Sequence, residues 1–261
     1  LQMIEALPAN FTDPLGGNTV QYVLVWFFIA AWTFIDPGFF QRCAAAKTPE
    51  TAKKGILIAI IFWAIFDTLT VFCGLYAINI LKIDQALLTY PLLAIDILPV
   101  GFLGLFLTGI FAIIMSTIDS LSFISAITFG RDIVWRLKQK PYDNEKIIPY
   151  IKTGLIFISI ISLTLAYLIP SVVSLLFTLG SIIIPSLILP FIISLIVKDF
   201  NIPEKFSIQW ILIPLFISFF WLLLSKTQGL IFTKIEPFYP GMIGSFLYYF
   251  IIIRGYQWQL K

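Results

Sequence analysis

"MSTIDSLSFISAITFGRD", residues 115–132, closes a long apolar run and contains two carboxylates, Asp119 and the final Asp132, and six hydroxyl side chains: Ser116, Thr117, Ser120, Ser122, Ser125 and Thr128. Apolar runs of this length are typical of helices that cross about 30 Å of hydrocarbon. An α-helix turns about 100° per residue, so Ile113, Ser116, Thr117 and Ser120 share one face. Such a face suits either a small hard cation, which prefers oxygen ligands, or a contact with another membrane helix. The spacing alone favours the helix contact.

The composition indicates a polytopic membrane protein. Of the 261 residues, 59% are hydrophobic and 12% are charged, and the mean hydropathy is +0.98. Soluble domains have roughly a quarter of their residues charged. The chain has no histidine, and its two cysteines form no metal-ligand spacing, so the sequence argues against a membrane enzyme. The net charge of +3 says little about partners, and from the apolar composition we expect a lipid bilayer as partner and no nucleic acid.

The pattern of apolar segments and basic connections predicts the topology. We expect seven spans, at residues 20–46, 55–80, 100–135, 148–168, 171–197, 207–225 and 238–254. Arg and Lys concentrate in alternate connections, above all at residues 42–54 and 131–146. By the positive-inside rule, the N-terminus is outside and the C-terminus is cytoplasmic. The start at Leu1, in a polar loop without an initiator Met, favours the later part of a longer chain.

Apart from Asp132, next to the basic connection at the end of the third span, three aspartates fall inside predicted spans: Asp36, Asp67 and Asp119. Asp36 precedes Pro37 and Gly38, which predicts a break in the first span. Broken membrane helices carry substrate and ion sites in secondary transporters, although a simple proline kink is the alternative. Asp67 could pair with an unseen basic group or lie near external water, and both readings remain open.

Three motifs resemble the sodium:solute symporter family. "GIFAIIMSTIDSLSFISAITFGRDIV", residues 109–134, is similar to that family's eighth core helix. "DPGFFQRCAAAKTPETAKKG", residues 36–55, resembles its sixth core helix and the following loop, and "LLFTLGSIIIPSLILPFIISLI", residues 175–196, resembles its tenth. The resemblance covers about residues 20 to 200.

The resemblance implies an all-α integral membrane fold of the LeuT type. Residues 1–19 would form an extracellular loop and 20–198 the second inverted repeat, with core helices six to ten. Residues 199–261 would add two transmembrane helices and a short cytoplasmic tail. The first repeat, the N-terminal half of such a transporter, would be a further partner.

The resemblance also implies two sites. A sodium ion, the coupling ion, would be bound by Ser116, Thr117 and the backbone carbonyl of Ile113, which makes Asp119 a supporting or structural residue. A small-molecule solute would bind beside the break in the sixth core helix, near Asp36, Thr33 and Phe34. Relatives of the proline type commonly have Gln-Pro at this break and sugar-type relatives have Asn, so Asp36 leaves the solute class open.

The implied function is sodium-coupled solute symport by alternating access in the cell membrane, without covalent chemistry. Two alternatives remain at this point. One is the membrane sensing module of a signalling protein, which would require a cytoplasmic catalytic domain. The other is a transport-inactive remnant of a symporter.

Overall fold

The computed structural model describes residues 11, 13–81, 86–138, 147–197, 202–227 and 230–259. Within these ranges the chain forms helices, turns and short connections, and no strand. The all-α fold expected from the sequence is therefore confirmed for this part of the chain. Most of the predicted loop 1–19 lies outside the described residues.

The helices are numbered here in chain order. They are α1 (Val20–Ala30), α2 (Trp32–Ile35), α3 (Pro37–Ala44), α4 (Pro49–Ile80), α5 (Thr89–Ile97), α6 (Val100–Ile127), α7 (Ile147–Leu168), α8 (Val172–Ile196), α9 (Glu204–Thr227), α10 (Leu230–Lys234), α11 (Phe238–Tyr248) and α12 (Arg254–Gln259). A 3₁₀ turn, Ala86–Leu88, precedes α5. Two π-helical segments also occur, Thr128–Trp135 after α6 and Tyr249–Ile253 between α11 and α12.

Hydroxyl side chains define where several long helices begin. The Thr48 hydroxyl accepts a hydrogen bond from the backbone N–H of Thr51 at 3.2 Å, with Pro49 in the first turn of α4. Ser171 caps α8 in the same way, through the N–H of Ser174 at 3.3 Å. A side-chain cap satisfies one of the N–H groups that a helix start leaves unpaired.

Among the described residues, five helices are long and apolar enough to cross a membrane, and a bent pair, Val20–Ile35 with Pro37–Ala44, adds a sixth when it is counted as one span. The seventh predicted span, 238–254, is helical but contains tyrosines, a proline and glycines that make it less apolar. The count of seven stays a prediction. The third predicted span is a continuous helix from Val100 to Lys138, 39 residues long, and is longer than one crossing needs.

The described helices fall into two compact units. The first contains Cys43–Leu165, and the second contains Gly17–Arg42 together with Ala166–Lys261. The first unit includes α4 to α7, and the second includes α1, α2 and α8 to α12. These units do not test the predicted end of the second inverted repeat at residue 198, which stays a prediction.

In the second unit, α1, α8, α9 and α11 contribute buried apolar side chains to the core. Val25 and Ile29 of α1 contact Ile184 and Ile188 of α8, and Phe238 of α11 completes the cluster. Further along, Trp210 of α9 is 1% exposed and donates its indole N–H to the carbonyl of Ser245 at 3.0 Å. The core therefore joins the first predicted span to the helices after residue 198.

In the first unit, α6 with its π-helical extension and α7 approach closely where both helices have glycine. A Cβ atom on Gly130 would lie 2.2 Å from the backbone oxygen of Tyr150. One on Gly154 would lie 2.6 Å from the oxygen of Ala126. Small residues of this kind let membrane helices pack backbone to backbone, and the rings of Phe129 and Phe157 stack beside this crossing at 4.2 Å.

This crossing predicts a strong dependence on glycine at residue 130. We expect Gly130→Ala to lower the thermal stability of the full-length protein in detergent, because the added methyl meets fixed backbone atoms. Gly55→Ala on α4 is the matched control, since nothing lies within 4 Å of its Cβ position, and alanine favours helix by about 1 kcal/mol over glycine. Equal melting temperatures for the two variants would contradict the close crossing.

Candidate functional site

The first predicted span is broken at the residue expected from the sequence. Asp36 has extended backbone angles, φ −70° and ψ 120°, between α2 and α3. The helix axis bends by 43° there. Because Pro37 has no N–H group, it cannot donate the helical hydrogen bond to the carbonyl of Thr33. The break therefore leaves the carbonyl of Thr33 without its helical donor and places Asp36 outside the helix.

The side chain of Asp36 has a structural role at this break. Its Oδ1 atom accepts a hydrogen bond from the backbone N–H of Phe39 at 2.7 Å, and its backbone carbonyl accepts from Phe40 at 3.1 Å. Asp36 is thus the N-cap of α3, with Pro37 in the first helical position, where proline is favoured. The dipeptide Asp-Pro is a recognisable signal for such a cap, which our interpretation of the sequence did not use.

The other two predicted solute residues lie one short helix earlier, on α2. Thr33 is half-buried, whereas Phe34 is 67% exposed. Their neighbours Trp32 and Ile35 pack against the apolar core of the second unit. The structure therefore brings Thr33, Phe34 and Asp36 together within a single stretch of chain beside the helix break.

The predicted sodium ligands lie on α6. The hydroxyl of Thr117 donates a hydrogen bond to the carbonyl of Ile113, with 2.9 Å between the two oxygens. Ser116 is exposed beside them. Two oxygens this far apart can both lie about 2.4 Å from one ion, within the range of about 2.3–2.6 Å that hard cations such as Ca²⁺ adopt. The three groups therefore present oxygen atoms on an open surface of the first unit.

The hydrogen bond from Thr117 does not by itself identify an ion site. Thr108, Thr153 and Thr164 donate in the same way to the carbonyl four residues earlier, at 2.8 to 2.9 Å. Threonine commonly makes this bond inside helices. What distinguishes Thr117 is its combination with Ser116 on one exposed face.

The two predicted sites belong to different compact units, the sodium ligands to the first and the solute residues to the second. Asp67 and Asp119 are exposed on α4 and α6. Among the described residues neither forms an ion pair, whereas Asp132 lies 2.8 Å from Arg131 and 4.0 Å from Arg136. The same part of the chain has no cluster of three His, Cys, Asp or Glu side chains suited to a metal.

Comparison with known proteins identifies the class. The chain matches the sodium:solute symporter family over residues 4–208, most of its length, and belongs to that family. It is a membrane protein of a family of sodium-coupled solute transporters.

The chain is also similar to an uncharacterized symporter, YidK, of Escherichia coli (strain K12). The two are 26% identical over 158 residues, which make up 59% of this chain and 27% of that protein. The matched part is thus about a quarter of that relative's length. No solved structure matches the chain.

Proposed function

We propose that this chain is part of a secondary active transporter that couples solute uptake to sodium by alternating access. The observation that carries the proposal is the oxygen-bearing face of α6, Ile113, Ser116 and Thr117, in a chain of the sodium:solute symporter family. Residues 20–198 would be the second inverted repeat of the transporter core, and a preceding repeat would supply the remaining ligands. The N-terminus of the chain would be extracellular and its C-terminus cytoplasmic.

The proposed ion site consists of neutral oxygens. While the Thr117 hydroxyl donates to the Ile113 carbonyl, both oxygens keep lone pairs that can face a cation. A monovalent ion does not need a carboxylate among its ligands, whereas a divalent ion is usually held by one or more. The neutral oxygen set therefore supports Na⁺ as the ion that these residues bind.

The proposed solute site lies at the helix break. Oδ1 of Asp36 is occupied by the N–H of Phe39, while Oδ2 accepts no hydrogen bond from the described residues and is available to a ligand. The carbonyl of Thr33 lacks the helical donor that Pro37 cannot supply, and Phe34 adds an exposed aromatic surface. A carboxylate, a carbonyl and an aromatic ring together favour a cationic or hydroxyl-rich solute.

In the proposed cycle, external sodium binds first and stabilises the outward-open form. The solute then binds at the break, the protein changes to the inward-open form, and low internal sodium lets both dissociate. The driving force is the sodium gradient and the membrane potential, worth about 2.3 kcal/mol per charge per 100 mV. No step forms or breaks a covalent bond.

The ion site predicts that Ser116→Ala and Thr117→Ala raise the sodium concentration needed for half-maximal uptake by the full-length transporter. Hydrogen bonds and contacts to charged groups contribute about 1.5–3 kcal/mol, which corresponds to about a ten- to hundredfold change. Sodium-dependent uptake of a radiolabelled solute in proteoliposomes measures this concentration.

Thr108→Ala is the matched control. Thr108 makes the same kind of bond, to the carbonyl of Gly104 at 2.8 Å, and is also exposed on α6. It lies nine residues from Thr117, which places it about 180° around the helix. If Thr108→Ala shifted the sodium dependence as much as Thr117→Ala, or if neither did, the assignment of the ion site would be wrong.

The proposed solute site predicts that substitutions at Asp36 separate the effect on stability from the effect on solute affinity. Asn is as good an N-cap as Asp, so Asp36→Asn keeps the cap of α3 and removes only the charge. We expect this variant to keep its melting temperature and to lose about tenfold or more in apparent solute affinity, whereas Asp36→Ala loses both. Unchanged solute affinity in Asp36→Asn would assign Asp36 to capping alone.

A further inference from the structure

Basic side chains lie where the π-helical segment Thr128–Trp135 and the beginning of α7 meet, within the first unit. A Cβ on Gly130 would lie 2.8 Å from the Cα of Ile151, so the two Cα atoms are within about 4.3 Å of each other. Consecutive Cα atoms are about 3.8 Å apart. Arg131 and Lys152, each one position further along the chain, therefore have their Cα atoms no more than about 12 Å apart.

Asp132 holds two arginine side chains next to each other in the same region. Its Oδ1 atom lies 2.8 Å from Nε of Arg131 and 4.0 Å from Nη2 of Arg136. A guanidinium group has five N–H donors, and the contacts with Asp132 occupy only one nitrogen of each. The two arginine side chains are 45% and 60% exposed, so their other N–H groups are open to a second anion.

The cluster has an excess of positive charge. It is called here the basic patch and consists of Arg131, Asp132, Arg136, Lys138 and Lys152. Four cations and one carboxylate leave three positive charges. Lys138 and Lys152 are exposed, and neither forms an ion pair with the residues that the structure describes. The next connection, residues 139–146, has two lysines and two acidic residues and so leaves the net charge unchanged.

Exposed apolar side chains lie among these cations along the chain. Ile133 and Leu137 are 47% and 79% exposed, and Ile148, in the first turn of α7, is 58% exposed. Trp135 and Tyr150 belong to the aromatic residue types that are enriched at membrane–water interfaces. Cations, exposed apolar side chains and interfacial aromatic residues together match the two parts of a phospholipid, whereas a soluble anion would need the cations alone.

We propose that the basic patch binds the headgroup of an anionic phospholipid, with its phosphate between Arg131 and Lys152 and its acyl chains on the exposed apolar side chains beside them. Arginine forms paired N–H bonds to phosphate oxygens, and lysine contributes a point charge. By the topology proposed above, this end of the helices faces the cytoplasm, where basic pockets between membrane helices bind anionic headgroups. The lipid would join the extension of α6 to the beginning of α7. This inference goes beyond symport and does not rest on the sodium or solute site.

The thermal stability of the full-length transporter in lipid titrations tests the site. The protein is purified in a non-ionic detergent and titrated with phosphatidylglycerol, and its melting temperature is measured at each lipid concentration. We expect a saturable rise, because a ligand that binds only the folded protein stabilises it. Phosphatidylcholine, which has no net charge, should give no such rise. An unchanged melting temperature with phosphatidylglycerol, or an equal rise with both lipids, would overturn the proposal.

Paired substitutions locate the binding. We expect Arg131→Gln with Lys152→Gln to raise the phosphatidylglycerol concentration for half-maximal stabilisation about thirtyfold, the combined effect of two cations near a membrane surface. Lys53→Gln with Lys54→Gln is the matched control, because it removes the same charge from two exposed positions on α4 of the same unit. Equal shifts in the two double variants would mean that overall charge, and not the basic patch, attracts the lipid.

A second pair keeps the test independent of the helix crossing. Arg131 adjoins Gly130, whereas Arg136 and Lys138 lie beyond the crossing. Arg136→Gln with Lys138→Gln therefore removes two cations of the patch without touching the close backbone contact, and we expect a similar loss of lipid affinity. If either double variant folds and binds phosphatidylglycerol as the unsubstituted protein does, the patch is not the lipid site.

Inorganic phosphate separates a lipid headgroup from a soluble anion. We expect phosphate at the concentrations used for the lipid to leave the melting temperature unchanged, because it makes no contact with the exposed apolar side chains. If phosphate stabilised the protein as much as phosphatidylglycerol, and the patch variants abolished this effect, the patch would bind soluble anions and the assignment to lipid would be wrong.

Discussion

Pro37 cannot donate a backbone hydrogen bond, and the geometry of the first predicted span depends on this single missing N–H. In a bilayer the backbone groups must find partners within the protein or in a water-filled cavity. The chain meets this constraint by ending α2 at Ile35 and beginning α3 with Asp36 as its cap. The carboxylate of Asp36, the carbonyl of Thr33 without its helical N–H donor, and the aromatic ring of Phe34 consequently lie within four residues.

The same residue therefore serves structure and, by our proposal, recognition. Asp36 uses Oδ1 for the cap, and a ligand would use the other oxygen. This double use couples the solute site to the orientation of α3, because anything that binds the carboxylate also affects the helix that it caps. On α6 the arrangement is similar, since Thr117 satisfies its hydroxyl on the Ile113 carbonyl while both oxygens can still face an ion.

The two compact units achieve their packing by different means. In the second unit, large side chains such as Trp210 and Phe238 are buried among small ones, including Ser218 and Ser245. In the first, the close approach at Gly130 and Gly154 brings backbone against backbone. In both units small residues allow close helix packing. This matters in a bilayer because the hydrophobic effect does not drive helices together there.

Much of the fold could be predicted from the sequence, because apolar length and proline position act locally. The long helices, the break at Asp36 and the shared face of Ile113, Ser116 and Thr117 all follow from composition and from 100° per residue. The family also followed from short motifs. The dipeptide Asp-Pro could have predicted the capping role of Asp36. The sequence interpretation assigned Asp36 to solute binding instead, because it is a charged residue inside a predicted membrane span.

Tertiary structure alone decided which polar residues are buried and which distant segments are joined by hydrogen bonds. Ser218 and Ser245 are fully buried, whereas Ser116 and Thr117 are exposed, although all four lie in apolar helices. Hydrogen bonds join Gln21 to Lys234 and to Tyr239, which lie more than two hundred positions away. Burial and such contacts depend on which helices pack together, and a periodic pattern within one helix does not specify its neighbours.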